Sequence, residues 1–538
     1  MAGDVSVEEG QLASQAKAVT GNLAPGNLDP GNLDPGDFEE ALQHRLATVA
    51  PHLVAMPFES AAAMGAGDLV HVAGSAVHGD PSAERLWLLL VALAGSLPDR
   101  DDMEEARYRV GSFDTSGFES WLLDWAATKR LLGGLAARIR VVTDLTLVDV
   151  DFSARRDLHT GIQEVARNTL SRWLDRERVL PVAWTDDFTC WRELSPDETA
   201  RATSTPPLST LPLAPRAAGS SAGMQLAGDG PHGGAPTLVV PWATTVIMLE
   251  TPDAASCERL GAAAEFSANA IVAVGYDCIP AVSADMLPEA DVARFARYLT
   301  VVKHLTCVAA ISESAAGEFR GFTAALRAQG LAGPRVVVCG LPTHSPGRCA
   351  ETSEILASRR VVVVGSIEPR KNQISVALAA EIAWRQGHEF DLTFVSGSAW
   401  HVEAVELIGR LRRQGRPVSL KEKVPPAELD EHYASARFSV FVSLHEGFGL
   451  PVVESLSRGV PVITSRFGPM AEVGEGNGAV LVDPSDVNGL VRAMTVLLDD
   501  DAELLRLRAE IDRRETRNWD DYAEDLRALL VGPTEARE

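Results

Sequence analysis

The chain has 538 residues, more than a single hydrophobic core serves, so two or three domains are expected. Its 46% hydrophobic and 23% charged residues are ordinary for a folded globular protein. Seventy-four acidic against 49 basic residues give a formal charge of -25, which argues against a nucleic-acid partner and against a basic face for anionic lipid.

Six cysteines are scattered from Cys190 to Cys349 without a CxxC pair, so neither a zinc site nor a disulfide framework is expected. Reduced thiols in a cytoplasmic protein fit that pattern. The opening MAGDVSVEEG lacks the basic and apolar regions of a secretory signal. Residues 86–94 form the longest apolar run, about half a membrane span, so membrane association is expected to be at most peripheral.

Residues 1–37 read as a disordered tail, because GNLAP, GNLDP and GNLDP bring Pro and Gly too often for helix or sheet. Residues 38–140 read as a helical accessory domain, with dense apolar runs at 84–94 and 118–126 and no chemical motif. From about residue 141, strands alternate with helices. A strand at 144–150 leads through Thr160 and Gly161 to a helix at 162–174, the opening of a doubly wound sheet. A Pro/Ala/Gly/Ser-rich stretch at 193–236 reads as a flexible insertion. Strands follow at 245–249 and 270–274, then a helix carrying Phe295, Tyr298 and Leu299. A second alternating set has strands at 361–364, 392–395, 440–443 and 461–464. The expected limits are 141–345 and 346–515 for two Rossmann-like domains, with a C-terminal helix and tail at 516–538. Two such domains imply a cleft between them, where ligands of open α/β sheets bind.

The most informative string is SLHEGFGLPVVESLSRG, residues 443–459. Gly447 and Gly449 free the backbone for close approach to a ligand. Pro451 suits a first helical turn, and Gly459 suits the position past a helix end. The loop therefore feeds a helix N-terminus whose free N–H groups favour an anion such as a diphosphate. Glu446 in the loop and Glu454 one turn into the helix can both point into the cleft, although a solvated helix residue is the plain alternative for Glu454. A second string, VVVVGSIEPRKNQ at 361–373, sets Arg370 and Lys371 in a loop after a buried strand. Both side chains suit phosphate oxygens, and the pairing with the first string outweighs mere surface solvation.

EGFGLPVVE resembles the E-x7-E signature of retaining glycosyltransferases of family 4, which have the two-domain GT-B fold. GSIEPRKN resembles that family's donor-phosphate loop, above all in members that use GDP-mannose or a deoxysugar donor to build surface polysaccharides. VPPAELDEHYASA (424–436), Glu472-Val473, GAVLVDP (478–484), DLHTGIQEVAR (157–167) and YDCIP (276–280) are similar to further family motifs. The resemblance covers about residues 141–530 and is most specific in the C-terminal strings.

The resemblance implies an α/β GT-B fold in which two Rossmann-like domains, acceptor half first and donor half second, face each other across a cleft, plus an N-terminal helical extension. It implies catalytic roles for Arg370, Lys371 and Glu446. Arg370 and Lys371 would hold the donor diphosphate and offset its charge as it leaves. Glu446 would contact hydroxyls of the transferred sugar, with Gly447, Phe448, Gly449 and Leu450 beside it, and Glu454 would bind the ribose. Lys423 and Val424 stand where the family places the base. Gly161 would let the first domain approach the phosphates or acceptor, and Tyr276 and Asp277 are candidate sugar or acceptor contacts. No metal and no cofactor are implied, the partners being a nucleotide-diphosphate sugar (GDP-mannose favoured) and a glycan or lipid-linked acceptor.

The implied activity is metal-independent hexosyl transfer with retention, by front-face attack in which the leaving phosphate accepts the acceptor's proton. Glu446 as covalent nucleophile is the double-displacement alternative. Two positions depart from the family: Tyr276 where relatives carry His, and Ser366 where many carry Arg. A phenol with a pKa near 10 suits acid/base work poorly, and His304 and His159 are the available substitutes. The competing reading is a degenerate GT-B protein that binds a nucleotide sugar or scaffolds polysaccharide assembly without transfer.

Overall fold

A computed structural model describes residues 35–129, 136–157, 160–204, 237–344, 347 and 349–531. The expected architecture is present: two Rossmann-like sheets and a helical N-terminal region. The repeats of the tail, residues 205–236 of the insertion and His159 lie outside the described residues.

The N-terminal region is helical from Pro35–Leu53 to Thr115–Thr128. Its central helix, Ala83–Ala94, is capped by the Ser82 hydroxyl, which accepts from the Arg85 N–H, and it stops at Gly95, whose φ of 64° is left-handed. Every residue from 86 to 94 is buried, so this helix is wrapped on all sides. The buried Arg45 ties it to the following sheet, donating to the carbonyls of Ala92 at 2.8 Å and Ala137 at 3.0 Å. The helices and the first sheet share one hydrophobic core.

The first sheet has nine strands: β1 (Ile139–Val142), β2 (Thr146–Asp149), β3 (Val179–Trp184), β4 (Trp191–Glu193), β5 (Leu238–Pro241), β6 (Thr245–Met248), β7 (Ala270–Gly275), β8 (Cys307–Ala310) and β9 (Arg335–Val338). Their order is β1-β5-β4-β3-β2-β6-β7-β8-β9, parallel except for β4, which runs antiparallel to β3 and β5. The stretch expected to be flexible from residue 193 opens with order instead. Pro196–Thr203 is a helix whose Ser195 and Glu198 form a reciprocal cap, and Arg192 grips Glu198 with two 2.7 Å hydrogen bonds. Composition conceals this, because the cap lies at the edge of the Pro- and Ser-rich run.

The second sheet comprises β10 (Arg360–Val364), β11 (Asp391–Ser396), β12 (Val418–Glu422), β13 (Phe438–Phe441), β14 (Val462–Ser465) and β15 (Ala479–Val482). It is wholly parallel, in the order β12-β11-β10-β13-β14-β15. The strand order reverses between β10 and β13, and loops leaving such a pair diverge to open a crevice at their C-terminal ends.

The chain crosses between the domains twice, and the crossings are stitched together: Thr343 N–H donates to the Arg517 carbonyl at 3.1 Å, and Arg517 N–H to the Thr343 hydroxyl at 3.0 Å. The last helix, Trp519–Val531, thereby returns to the first domain, where Trp173 Nε1 donates to the Ala523 carbonyl at 2.9 Å. Among the described residues no helix is long and apolar enough to cross a membrane.

Candidate functional site

The loops after β10 and β13 meet at the crevice of the second sheet. Pro369–Lys371 forms a short 3-10 turn, closed by Asn372 in left-handed backbone with φ 59°. Leu444 N–H and the Ser443 hydroxyl both donate to the Arg370 carbonyl, at 2.7 and 2.9 Å. Asn372 Nδ2 reaches the Pro484 carbonyl at 2.9 Å. Two strings 75 residues apart thus become one surface.

Arg370, Lys371 and Glu446 converge there. Arg370 Nη1 lies 2.8 Å from Glu446 Oε2, and Lys371 Nζ donates to Glu446 Oε1 at 2.6 Å. Arg370 also pairs with Glu368 at 3.1 Å and donates to the His445 carbonyl at 3.0 Å. Burial raises the Glu446 carboxyl, but the flanking Arg370 and Lys371 outweigh it and hold it at about 2. Burial, with Arg370 next to it, moves Lys371 below the ordinary lysine value. Two cationic side chains are therefore already charge-compensated by one carboxylate.

Gly449, with φ 96°, caps the helix Leu450–Ser457, so its left-handed backbone turns the loop into the helix. Glu454 does not stand beside Glu446 as a second free carboxylate. It accepts a hydrogen bond from the buried Tyr433 hydroxyl at 2.9 Å, and burial raises its carboxyl despite Arg458 nearby. Val424 is buried with Tyr433 in a small apolar cluster beneath Glu454, and Lys423 is exposed at the rim after β12.

The first domain closes against this loop. A Cβ on Gly447 would meet the Tyr276 carbonyl at 2.6 Å, and one on Gly161 would meet Leu450 Cδ1 at 3.1 Å. The Ser312 hydroxyl donates to the Gly447 carbonyl at 2.8 Å, and Phe448 is buried. Asp277 lies against Gly447; burial raises its carboxyl, with Arg370 opposing. Tyr276 is placed otherwise. Its hydroxyl donates to the Leu249 carbonyl at 2.7 Å, inside its own domain. His304 packs beside Glu265 at 3.2 Å, and burial lowers it to about 4.

Four side chains from outside the two strings bear on the site: Glu164, Ser283, Glu318 and Glu472. Glu472 bridges the domains, accepting from the N–H groups of Glu313 at 2.9 Å and Ser314 at 2.7 Å. His445 bridges to Ser283 and Glu318. Glu164, in the first turn of Gly161–Arg176, is driven up to about 7 by burial and by Glu454 across the cleft. A cavity of 270 Å³ between the domains touches the predicted set at Phe448 but runs toward Arg514 and Arg517 at the crossings; the Arg370–Glu446 cluster does not line it.

Residues 358–500 match the family model described as Glycosyl transferases group 1. The chain is 26% identical over 194 residues to the serotype-specific mannosyltransferase WbdA of Escherichia coli, covering 36% of this chain and 22% of that protein. It is 32% identical over 164 residues to the O-antigen chain mannosyltransferase B of Escherichia coli, covering 30% of this chain and 42% of that protein. The matched stretches thus span less than half the length of these relatives. Sucrose-phosphate synthase from Thermosynechococcus elongatus superposes with a TM-score of 0.42 at 20% identity, over 52% of this chain and 71% of that one.

Proposed function

We propose that this chain, which carries a glycosyltransferase group 1 domain over residues 358–500, is a retaining glycosyltransferase that moves a hexose from a nucleotide-diphosphate sugar to a glycan or lipid-linked acceptor. Mannose from GDP-mannose is the favoured donor, in keeping with the mannosyltransferases among its relatives. The reaction belongs on the cytoplasmic side, with contact at a membrane face no more than peripheral. The observation that carries the reading is the convergence of Arg370, Lys371 and Glu446 where the strand order of the second sheet reverses.

The chemistry follows from that cluster. A donor diphosphate competes with Glu446 for the two cations, and its oxygens can also face the N-terminus of the helix Leu450–Ser457. Released from the cations, the Glu446 carboxylate accepts hydrogen bonds from sugar hydroxyls. As the bond between the anomeric carbon and the phosphate oxygen breaks, Arg370 and Lys371 stabilise the growing charge on the diphosphate, work that asks for no metal. The acceptor oxygen bonds to the same face of the anomeric carbon and gives its proton to the departing phosphate oxygen, so configuration is retained.

One observation favours the second reading, a protein that binds the donor without transfer. The Tyr276 hydroxyl is engaged with Leu249, so the first domain presents no acid or base from that position. Purified full-length protein incubated with radiolabelled GDP-mannose, UDP-glucose and dTDP-rhamnose, each with lipid-linked and oligosaccharide acceptors, separates the two. Transfer establishes the enzyme, and donor binding without transfer across a broad acceptor range establishes the binder.

A further inference from the structure

One side chain of the donor loop is held entirely by the opposite domain. The Nδ1 of His445 lies 2.7 Å from the Ser283 hydroxyl, and its Nε2 lies 2.5 Å from Glu318 Oε1. The other Glu318 oxygen accepts from the Cys278 N–H at 2.6 Å. Glu318 therefore clasps His445 and the turn that follows Asp277 at the same time. Ser283 follows the short helix Ile279–Val282, and Glu318 stands on the helix Glu313–Arg327. The backbone of His445 faces the other way, its carbonyl accepting from Arg370 Nη1 at 3.0 Å, and the next residue is Glu446.

With both ring nitrogens bonded, the imidazole has one orientation, set by the first domain. With its carbonyl bonded to Arg370, the same residue fixes one face of the catalytic cluster. We propose that His445 is a positioning residue: its bridge to Ser283 and Glu318 couples approach of the first domain to the placement of Arg370 and Glu446 against the donor. This rests on the reading of the cluster as a nucleotide-sugar site.

The bridge is sensitive to pH in a defined direction. Burial lowers the imidazole, but Glu318, Asp277 and Glu446 outweigh it, and the net shift is upward. Arg370 is the cation nearby, and it is committed to Glu446 and Glu368. The charged bridge is therefore complete below the ordinary histidine value and is lost as pH rises through the raised one.

The test compares the full chain with His445→Gln, Glu318→Gln and the double variant, following transfer kinetics from about pH 5.5 to about 9. Each single variant is expected to lose about tenfold in kcat with donor KM within about twofold, and the double variant to be no worse than either. The decline of parental kcat at high pH is expected to vanish in all three. Parental kcat and an unchanged pH profile in the variants would overturn the coupling. Glu318→Gln keeps the shape of the site and decides the matter if His445→Gln does not fold. A parent that transfers nothing defeats the functional reading, and hydrogen exchange then judges the bridge: amides of 276–283 and 443–449 exchange faster in Glu318→Gln if it is real, and at the parental rate if it is not.

Discussion

Lys371 Nζ lies 2.6 Å from Glu446 Oε1, a contact between residues 75 positions apart that joins the loops after β10 and β13. It is part-buried, Lys371 Nζ lies 4.9 Å over the Phe441 ring, and Arg370 is a second cation on the same carboxylate. Lys371→Ala removes one of the two charges proposed to hold the leaving diphosphate and leaves Glu446 paired with Arg370. The fold should survive while turnover falls at least about a hundredfold. Circular dichroism and transfer assays check this, and transfer at the parental rate would remove Lys371 from the phosphate loop.

Glu446→Gln has effects of opposite sign on stability and on nucleotide binding. Two part-buried cations lose their shared, buried carboxylate, which costs about 3 kcal/mol of stability in the free protein. The same change removes the competitor that a diphosphate must displace, so GDP should bind about tenfold more tightly than in the parent. Sugar transfer falls, because the hydroxyl contacts go with the carboxylate. Calorimetric titration with GDP and thermal melts with and without it give both readings. Weaker GDP binding would mean that the diphosphate does not compete with Glu446 for these cations.

The second domain's cluster is legible in the sequence because its chemistry is local. A buried strand, a charged turn and a glycine loop ahead of a proline-started helix each lie within about 17 residues, where strand and helix periodicity is readable. The first domain's share of the site is not. Glu164, Ser283 and Glu318 are single polar residues on loops and helices, and only tertiary packing brings them to the cleft. Tyr276 shows the opposite failure: the motif is in place, yet the hydroxyl turns inward because burial leaves the phenol needing an acceptor, and the Leu249 carbonyl supplies one. The helical region likewise reads as a separate unit because an apolar helix does not announce its partner; Arg45 and the residues from 86 to 94 join it to the first sheet.

Gly447→Ala should block closure without unfolding either domain. A Cβ there would come 2.6 Å from the Tyr276 carbonyl and 3.1 Å from Asp277 Oδ2, and the backbone oxygen cannot swing aside as a long side chain can. The domains must separate or the 276–277 turn must shift, and either change moves Asp277 and His445 from their places. Transfer should drop about a hundredfold with GDP binding nearly retained. Parental activity in this variant would show that the closed arrangement is not the working one.

Tyr276→Phe separates a structural phenol from a catalytic one. The hydroxyl lies 2.7 Å from the Leu249 carbonyl in a buried setting, and its loss should cost about 1 kcal/mol of stability. Nothing about that hydrogen bond reaches the donor cluster, so kcat and KM should remain within about twofold of the parent. A large fall in kcat with parental stability would put the hydroxyl in the reaction.

Glu164 and Glu454 give the closed form a dependence on pH that can be read from stability alone. Burial, then Glu454, raises Glu164 from 4.5 to about 7, and Glu454 is itself raised. A carboxyl raised in the folded chain keeps a proton that the unfolded chain has already released. Its contribution is therefore complete below the unfolded value of 4.5 and is lost as pH climbs to about 7. Glu164→Gln keeps the shape of the protonated acid and carries no charge at any pH. The variant and the parent should melt alike near pH 5, and the variant should melt a few degrees higher near pH 8. Melting curves collected across that interval decide it: if the difference between the two proteins stays constant with pH, Glu164 and Glu454 do not confront each other in the folded chain.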